Sequence, residues 1–231
     1  MRFDPAALQE IGAAHVADAL TKLKLPKRFG PPEMKPAFGT PGLMIGRALP
    51  AKHFGSVDVF LAAFEHAEPG DILVADNEAR LDEGCIGDLI AAEAKLAGLA
   101  ALVIHGAHRD TAQLREIGLP VWSLGHFPFG PTRMRPTAPG DVMLGSFAVT
   151  DRDIIVGDED GVIVTEGETI EEVLGEAALI AGREEKQRAE MRTGRTLREQ
   201  LKFGDFIRQR AANPALSFRE HINKVRGAVE T

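Results

Sequence analysis

Residues 71–123 read DILVADNEARLDEGCIGDLIAAEAKLAGLAALVIHGAHRDTAQLREIGLPVWS, and how this stretch is parsed decides the fold. It opens with Asp71-Ile72-Leu73-Val74-Ala75, an apolar run of strand length. Residues 88–97 follow as a helix closed by Gly98, a residue that ends helices without steric cost. Residues 99–105 are apolar almost throughout, which predicts a strand buried on both faces. Residues 111–117 make a second short helix, closed by Gly118, and residues 120–123 form the next strand. Such a β-α-β-α-β alternation implies parallel strands joined by right-handed crossovers.

Upstream, residues 5–24 read as a helix, with Ala13, Val16, Ala17 and Leu20 at helical spacing. Residues 25–42 hold Pro26, Pro31, Pro32, Pro36 and Pro41 and read as a loop. A strand over 44–49 and a helix over 57–67, stopped by Pro69-Gly70, lead into the opening stretch. Downstream, a Pro/Gly-rich loop at 127–140 precedes short strands over 142–149, 154–156 and 161–165, joined by turns such as Asp160-Gly161. A long helix over 168–192 carries one apolar stripe of Ile170, Val173, Leu174, Ala177, Ala178 and Ala181. The tail, 195–231, is helical with a break near Asn213-Pro214. The expected fold is a mixed α/β sandwich over residues 1–193 with a partly parallel central sheet. Residues 194–231 form a C-terminal helical extension that docks subunits.

Composition removes several function classes. The chain has 231 residues and is 44% hydrophobic, enough for a normal core. No apolar run nears the roughly 20 residues that span a bilayer, so no membrane role is expected. The start, Met1-Arg2-Phe3-Asp4-Pro5, lacks the apolar segment of a secretory signal. A single cysteine, Cys85, excludes an internal disulfide and fits a reducing compartment, so the expected location is cytoplasmic. The net charge is −7, but residues 183–226 alone carry +6. Their basic residues alternate with acids and apolar positions and are poor in stacking aromatics, which suits a solvated or docking helix better than a nucleic-acid surface.

Ligands of open α/β sheets bind beyond the carboxyl ends of the strands. Two connections leave from that edge here, residues 76–87 and 106–110, and each delivers the chain into a helix start, where free amides favour an anion. Gly84 and Gly87 permit close backbone approach, and the amides of Leu89 and Ile90 make a cradle for a carboxylate. Arg109 offers a bidentate fork to an oxo-acid. Asp110 is the candidate metal ligand, since Mg²⁺ is often held by one or two protein carboxylates plus waters and substrate oxygens. Asp88 binds a water or joins a proton relay. Taken singly, Asp88 and Asp110 are also good helix caps and Arg109 an ordinary surface arginine; their combination is what points to a site.

The remaining candidates are weaker. His105 and His108 bracket a loop without a third ligand; His53, His66 and His126 stand alone. Cys85 has no paired histidine and reads as a small filler. Lys95 and Lys52 lie away from the site edge as Schiff-base candidates. Asp158-Glu159-Asp160-Gly161 lacks calcium-loop spacing and reads as a turn.

The residues resemble those of the RraA-like family, which includes the class II 4-hydroxy-4-methyl-2-oxoglutarate/4-carboxy-4-hydroxy-2-oxoadipate aldolases. The resemblance rests on Pro69-Gly70-Asp71-Ile72-Leu73-Val74-Ala75-Asp76, Gly87-Asp88-Leu89-Ile90-Ala91, Gly106-Ala107-His108-Arg109-Asp110, Leu119-Pro120-Val121 and Gly157-Asp158-Glu159-Asp160-Gly161-Val162, and extends from about residue 10 to 193. It implies a swivelling αββα-type sandwich assembled as a homotrimer or homohexamer, with sites between subunits. Gly87, Asp88, Leu89 and Ile90 would bind the pyruvyl carboxylate of a small 2-oxo acid, and Arg109 its keto-acid end. Asp110 would hold Mg²⁺ or Mn²⁺, and Asp88 would act through an ordered water. A glutamate from the neighbouring subunit's late helix, one of Glu184, Glu185 and Glu190, would complete the site. The implied activity is metal-dependent cleavage of a 4-hydroxy-2-oxo acid to pyruvate, with oxaloacetate decarboxylation alongside. The alternative implied by other members is a regulator that binds a ribonuclease without catalysis. The loop over 76–83 lacks the glycine run common in relatives, and the tail after 193 is longer than in the shortest members.

Overall fold

The structure is a computed structural model that describes residues 10–40, 42–131, 134 and 141–225. In chain order the elements are helix Ala13–Lys22 (α1), the two-residue strands Arg28–Phe29 (β1) and Lys35–Pro36 (β2), strand Met44–Lys52 (β3), helix Asp58–Phe64 (α2), strands Ile72–Asp76 (β4) and Gly84–Ile86 (β5), helix Asp88–Leu96 (α3), strand Ala101–His108 (β6), helix Thr111–Ile117 (α4) and strand Val121–His126 (β7). Then come strands Val142–Leu144 (β8), Phe147–Val149 (β9), Asp153–Gly157 (β10) and Val162–Glu166 (β11), the long helix Ile170–Arg192 (α5), and helices Leu197–Gln200 (α6), Phe203–Ala212 (α7) and Phe218–Val225 (α8). The expected helix start at 5–9, Pro41, most of the loop over 127–140 and the last residues of the tail lie outside the described residues.

The main sheet runs β1-β11-β10-β3-β4-β6-β7-β2, with β5 added to the far end of β6. The β3-β4-β6-β7 half is parallel throughout, as the strand-helix alternation of residues 71–123 requires; β1, β11, β10 and β3 pair antiparallel. The alternation of side chains along each strand sorts them into three cores. Leu73, Ala75, Leu102 and Ile104 face α2, α3 and α4. Ile154, Val156 and Ile163 face α1 and α5. Ile72, Val74, Ala101, Val103, Trp122, Ile155, Val162 and Val164 meet between the two halves of the sheet, which curls over itself. The result is an αββα sandwich. Trp122 stitches its halves together: the indole packs where a Cβ on Gly157 would come within 3.1 Å, and its Nε1–H donates to the Asp158 carbonyl at 2.8 Å.

Four expectations change. The loop expected over 25–42 holds the short strands β1 and β2, which form by pairing with β11 and β7. The strand expected to stop at His105 continues to His108, because β5 and β7 keep supplying backbone partners beyond it. Gly106 is therefore inside a strand and not in a site loop, and His105 and His108 do not bracket a loop. The region of Cys85, read as loop, is strand β5, and Cys85 is buried there. The single strand expected over 142–149 is a hairpin, β8 and β9. In the tail Phe203, Phe206 and Phe218 pack against one another, Phe206 and Phe218 also meet His221, and the break falls at Asn213-Pro214 as expected. Among the described residues no helix is long and apolar enough to cross a membrane.

Candidate functional site

Gly87 is the residue before α3 and Asp88 its first residue. The Gly87 backbone is extended, a conformation open to any residue, so its need for glycine is steric. A Cβ there would lie 2.3 Å from Asp110 Oδ2 and 3.0 Å from Arg109 Nε. The first turn of α3 is partly spent already. Asp88 Oδ1 accepts from the Leu89 N–H at 2.8 Å, and the Asp88 N–H points at Asp110 Oδ2 at 3.4 Å. Of the two amides expected as a cradle, that of Leu89 is taken by Asp88 Oδ1, and that of Ile90 has no partner among the described residues.

β6 delivers Arg109 and Asp110 to the same place. The Arg109 N–H donates to the Ile86 carbonyl at 2.9 Å, and Asp110 takes up a left-handed backbone (φ 58°) before α4 begins. Its carboxylate does not cap α4; Oδ2 turns back to Arg109 Nε at 3.3 Å. Arg109 lies in a slot whose sides are backbone. A Cβ on Gly84 would lie 2.8 Å from the Arg109 Cβ, and one on Gly130 would lie 2.3 Å from its Nη1. Gly130 was not singled out from the sequence, where it is one more glycine in a Pro/Gly-rich loop. Both charged groups keep open faces: the side chains of Arg109 and Asp110 are 42% and 36% exposed.

Asp88, Arg109 and Asp110 are therefore brought together at the sheet edge, beside the glycines. Asp110 suits a hard divalent cation, since among the described residues Oδ2 is held by two long contacts and lies 2.3 Å from where a Cβ at position 87 would stand. No group of three His, Cys, Asp or Glu residues able to hold a metal occurs among the described residues, so most of a cation's shell here would be water and substrate oxygen.

Other polar residues serve the frame. Asp76, at the end of β4, is buried, and burial pushes its carboxyl up. Hydrogen bonds from His105 and from the Met143 and Glu78 N–H groups outweigh this and hold it below the usual carboxylate range. His105 in turn accepts from the Gly145 N–H at 3.3 Å, so the pair pins the β8–β9 hairpin over the sheet. His53 is buried, stacked on Phe60 and 3.0 Å from Asn77 Oδ1. His108 is buried between Ser123 and Thr111; burial, reinforced by nearby His126, lowers its pKa. Lys52 lies 3.8 Å from Asp76, and Lys95 is spent on the Ile117 carbonyl. The three candidate glutamates of α5 are each paired within the chain: Glu184 with His15 and Arg188, Glu185 with Arg188 and Arg192, and Glu190 with Arg195.

The fold is a curled αββα sandwich in which an arginine-aspartate corner faces a glycine-opened helix start. The chain belongs to the RraA-like family, described as Aldolase/RraA, which matches residues 13–164. It is similar in structure to an uncharacterized protein from Pseudomonas syringae pv. tomato, at 20% identity and a TM-score of 0.72 over 86% of this chain and 98% of that one. It is also similar to RraAS2 of Streptomyces coelicolor, described as an unusual member of the RNase ES inhibitor RraA protein family. That match has 25% identity and a TM-score of 0.68 over 81% of this chain and 98% of that one. The RNA-processing inhibitor RraA from Thermus thermophilis matches at 23% identity and a TM-score of 0.55, over 64% and 90% of the two chains.

Proposed function

We propose that the protein is a divalent-metal-dependent lyase of the pyruvate aldolase type. It cleaves a 4-hydroxy-2-oxo acid to pyruvate and a carbonyl fragment, and decarboxylates oxaloacetate as a side reaction. The observation that carries this reading is the convergence of Arg109, Asp110 and Asp88 on one glycine-lined recess, with both reactive side chains partly exposed. Asp110 would hold Mg²⁺ or Mn²⁺, which supplies Lewis-acid polarisation of the 2-oxo oxygen when bound. The substrate carboxylate docks at the start of α3, taking the Ile90 N–H and displacing Asp88 from the Leu89 N–H. Arg109 grips the oxo-acid end and takes up the negative charge that develops there as the C3–C4 bond breaks. The displaced Asp88 carboxylate relays the C4 hydroxyl proton through a water, and that proton is returned to C3 of the enolate left by C3–C4 cleavage, giving pyruvate. The same charge develops when oxaloacetate loses carbon dioxide, so one set of residues serves both reactions.

Assembly as a homotrimer or homohexamer belongs to this proposal. Leu89 stands exposed at the start of α3, next to Asp88, an apolar contact suited to a second subunit, which would bring one of the glutamates of α5 to its neighbour. The competing reading, a regulator that binds a ribonuclease, rests on the description of the Streptomyces relative as a member of an RNase inhibitor family. A screen of 4-hydroxy-2-oxo acids and oxaloacetate with added Mg²⁺ or Mn²⁺, read by pyruvate formation, separates the two. Turnover supports the lyase, and no turnover together with stoichiometric capture of a ribonuclease supports the regulator.

A further inference from the structure

β6 ends in His108, the residue directly before the Arg109-Asp110 corner. Its ring is buried at 2% exposure and both nitrogens are engaged. Nδ1 lies 2.8 Å from Ser123 Oγ, and Nε2 lies 2.9 Å from Thr111 Oγ1. Ser123 Oγ also lies 3.0 Å from the Gly125 carbonyl, which can only accept, so the single hydroxyl proton of Ser123 points there. Ser123 Oγ must then accept from His108 Nδ1–H. In the neutral ring that leaves Nε2 bare, ready to accept from the Thr111 hydroxyl. The bonds run one way, from Thr111 through His108 and Ser123 to the backbone of β7.

Between His108 and Thr111 sits Asp110 in a left-handed conformation, which a residue with a Cβ keeps only when its flanks are fixed. The upstream flank is fixed by the bond from the Arg109 N–H to the Ile86 carbonyl. The downstream flank is Thr111, held by His108. We infer that His108 is a positioning residue: with Thr111 and Ser123 it clamps the start of α4 to β7 and thereby fixes the corner that aims the Asp110 carboxylate at a divalent cation. The inference rests on the reading of Asp110 as the cation-holding residue. The side chain that ligates and the side chains that aim it are then different residues, joined by backbone.

The test is Mn²⁺ binding to the full-length protein, followed by calorimetry, with thermal unfolding in parallel. Thr111→Val removes the hydroxyl and keeps the shape. It is expected to weaken Mn²⁺ binding about 10-fold, the usual scale for a lost supporting hydrogen bond around a metal ligand, with the unfolding temperature within a few degrees of wild type. Thr111→Ser restores the hydroxyl and is expected to bind within about 2-fold of wild type. His108→Phe combined with Thr111→Val should weaken binding no further than either change alone, because the two remove one link. In oxaloacetate decarboxylation, Thr111→Val should raise the Mn²⁺ requirement while leaving KM for oxaloacetate unchanged at saturating Mn²⁺. Wild-type Mn²⁺ affinity in both Thr111→Val and His108→Phe overturns the clamp. No saturable Mn²⁺ binding by the wild-type protein overturns the reading of Asp110 itself, and the clamp with it.

Discussion

Two acidic corners, built from the same residue types at strand ends, end up with opposite character. At the turn after β10, the Asp158 carboxylate is fully used: Oδ2 accepts from the Ala13 N–H at 2.7 Å at the start of α1, and Oδ1 accepts from the Asp160 N–H at 2.9 Å. Its backbone is held as well, by Trp122 Nε1–H and by Gly161. At the end of β6, Asp110 is held by contacts of 3.3 and 3.4 Å and keeps an open face. In sequence Asp110 reads as a helix cap and Asp158 as part of a turn. What separates a strut from a candidate ligand site is whether the carboxylate oxygens are already held by close backbone donors.

That contrast can be broken by four substitutions or conditions. Arg109→Ala should have the largest effect, a fall in pyruvate release of about 10²- to 10³-fold, the scale for losing a group that stabilises developing charge. The urea midpoint should barely move, because the side chain is 42% exposed. Gly87→Ala places a methyl where Asp110 Oδ2 now lies, and the extended backbone tolerates it. A Mn²⁺ titration should then show roughly a 10-fold higher requirement with near-normal stability. Asp158→Ala should do the reverse, costing about 1–2 kcal/mol in denaturant unfolding through loss of the cap on α1, with activity per folded molecule retained. Loss of activity in Asp158→Ala, or loss of stability in Gly87→Ala, would erase the distinction between the corners.

The smallest effect is a pH dependence. Asp76 is held below its ordinary carboxylate range in the folded protein, so the unfolded chain takes up its proton first as pH falls. Its contribution is complete at neutral pH and is lost as pH drops through about 4 and below. Urea midpoints measured from pH 7 down to about 3 should fall more steeply for wild type than for Asp76→Asn. Parallel curves would remove Asp76 from the account.

The parallel half of the fold was legible because its strands are long apolar runs separated by capped helices. The period-two sorting of Ile72 and Val74 from Leu73 and Ala75 follows from strand geometry, although Ile72 and Val74 are buried with Ile155, Val162 and Val164 from outside the stretch. The pieces missed were those whose stability comes from pairing with distant segments: β1, β2 and β5 have only two or three residues each, too few for any pattern. The extension of β6 through Gly106 was hidden for the same reason, since Gly-Ala-His-Arg-Asp reads locally as a turn while β5 and β7 hold its first residues as strand. At the site, Gly87, Asp88, Arg109 and Asp110 were visible by spacing. The occupation of the Leu89 amide by Asp88, the backing of Arg109 by Gly130 and the bonds of His108 to Ser123 and Thr111 depend on side-chain directions that spacing does not encode.

The most direct measurement is pyruvate release from oxaloacetate by the purified full-length protein, first with Mn²⁺, then after EDTA, then after Mn²⁺ is restored. Release is expected to stop with the chelator and return with the metal in wild type and Asp158→Ala, and to be lower by about 10²- to 10³-fold in Arg109→Ala. Undiminished release in EDTA, or equal release by Arg109→Ala, contradicts it.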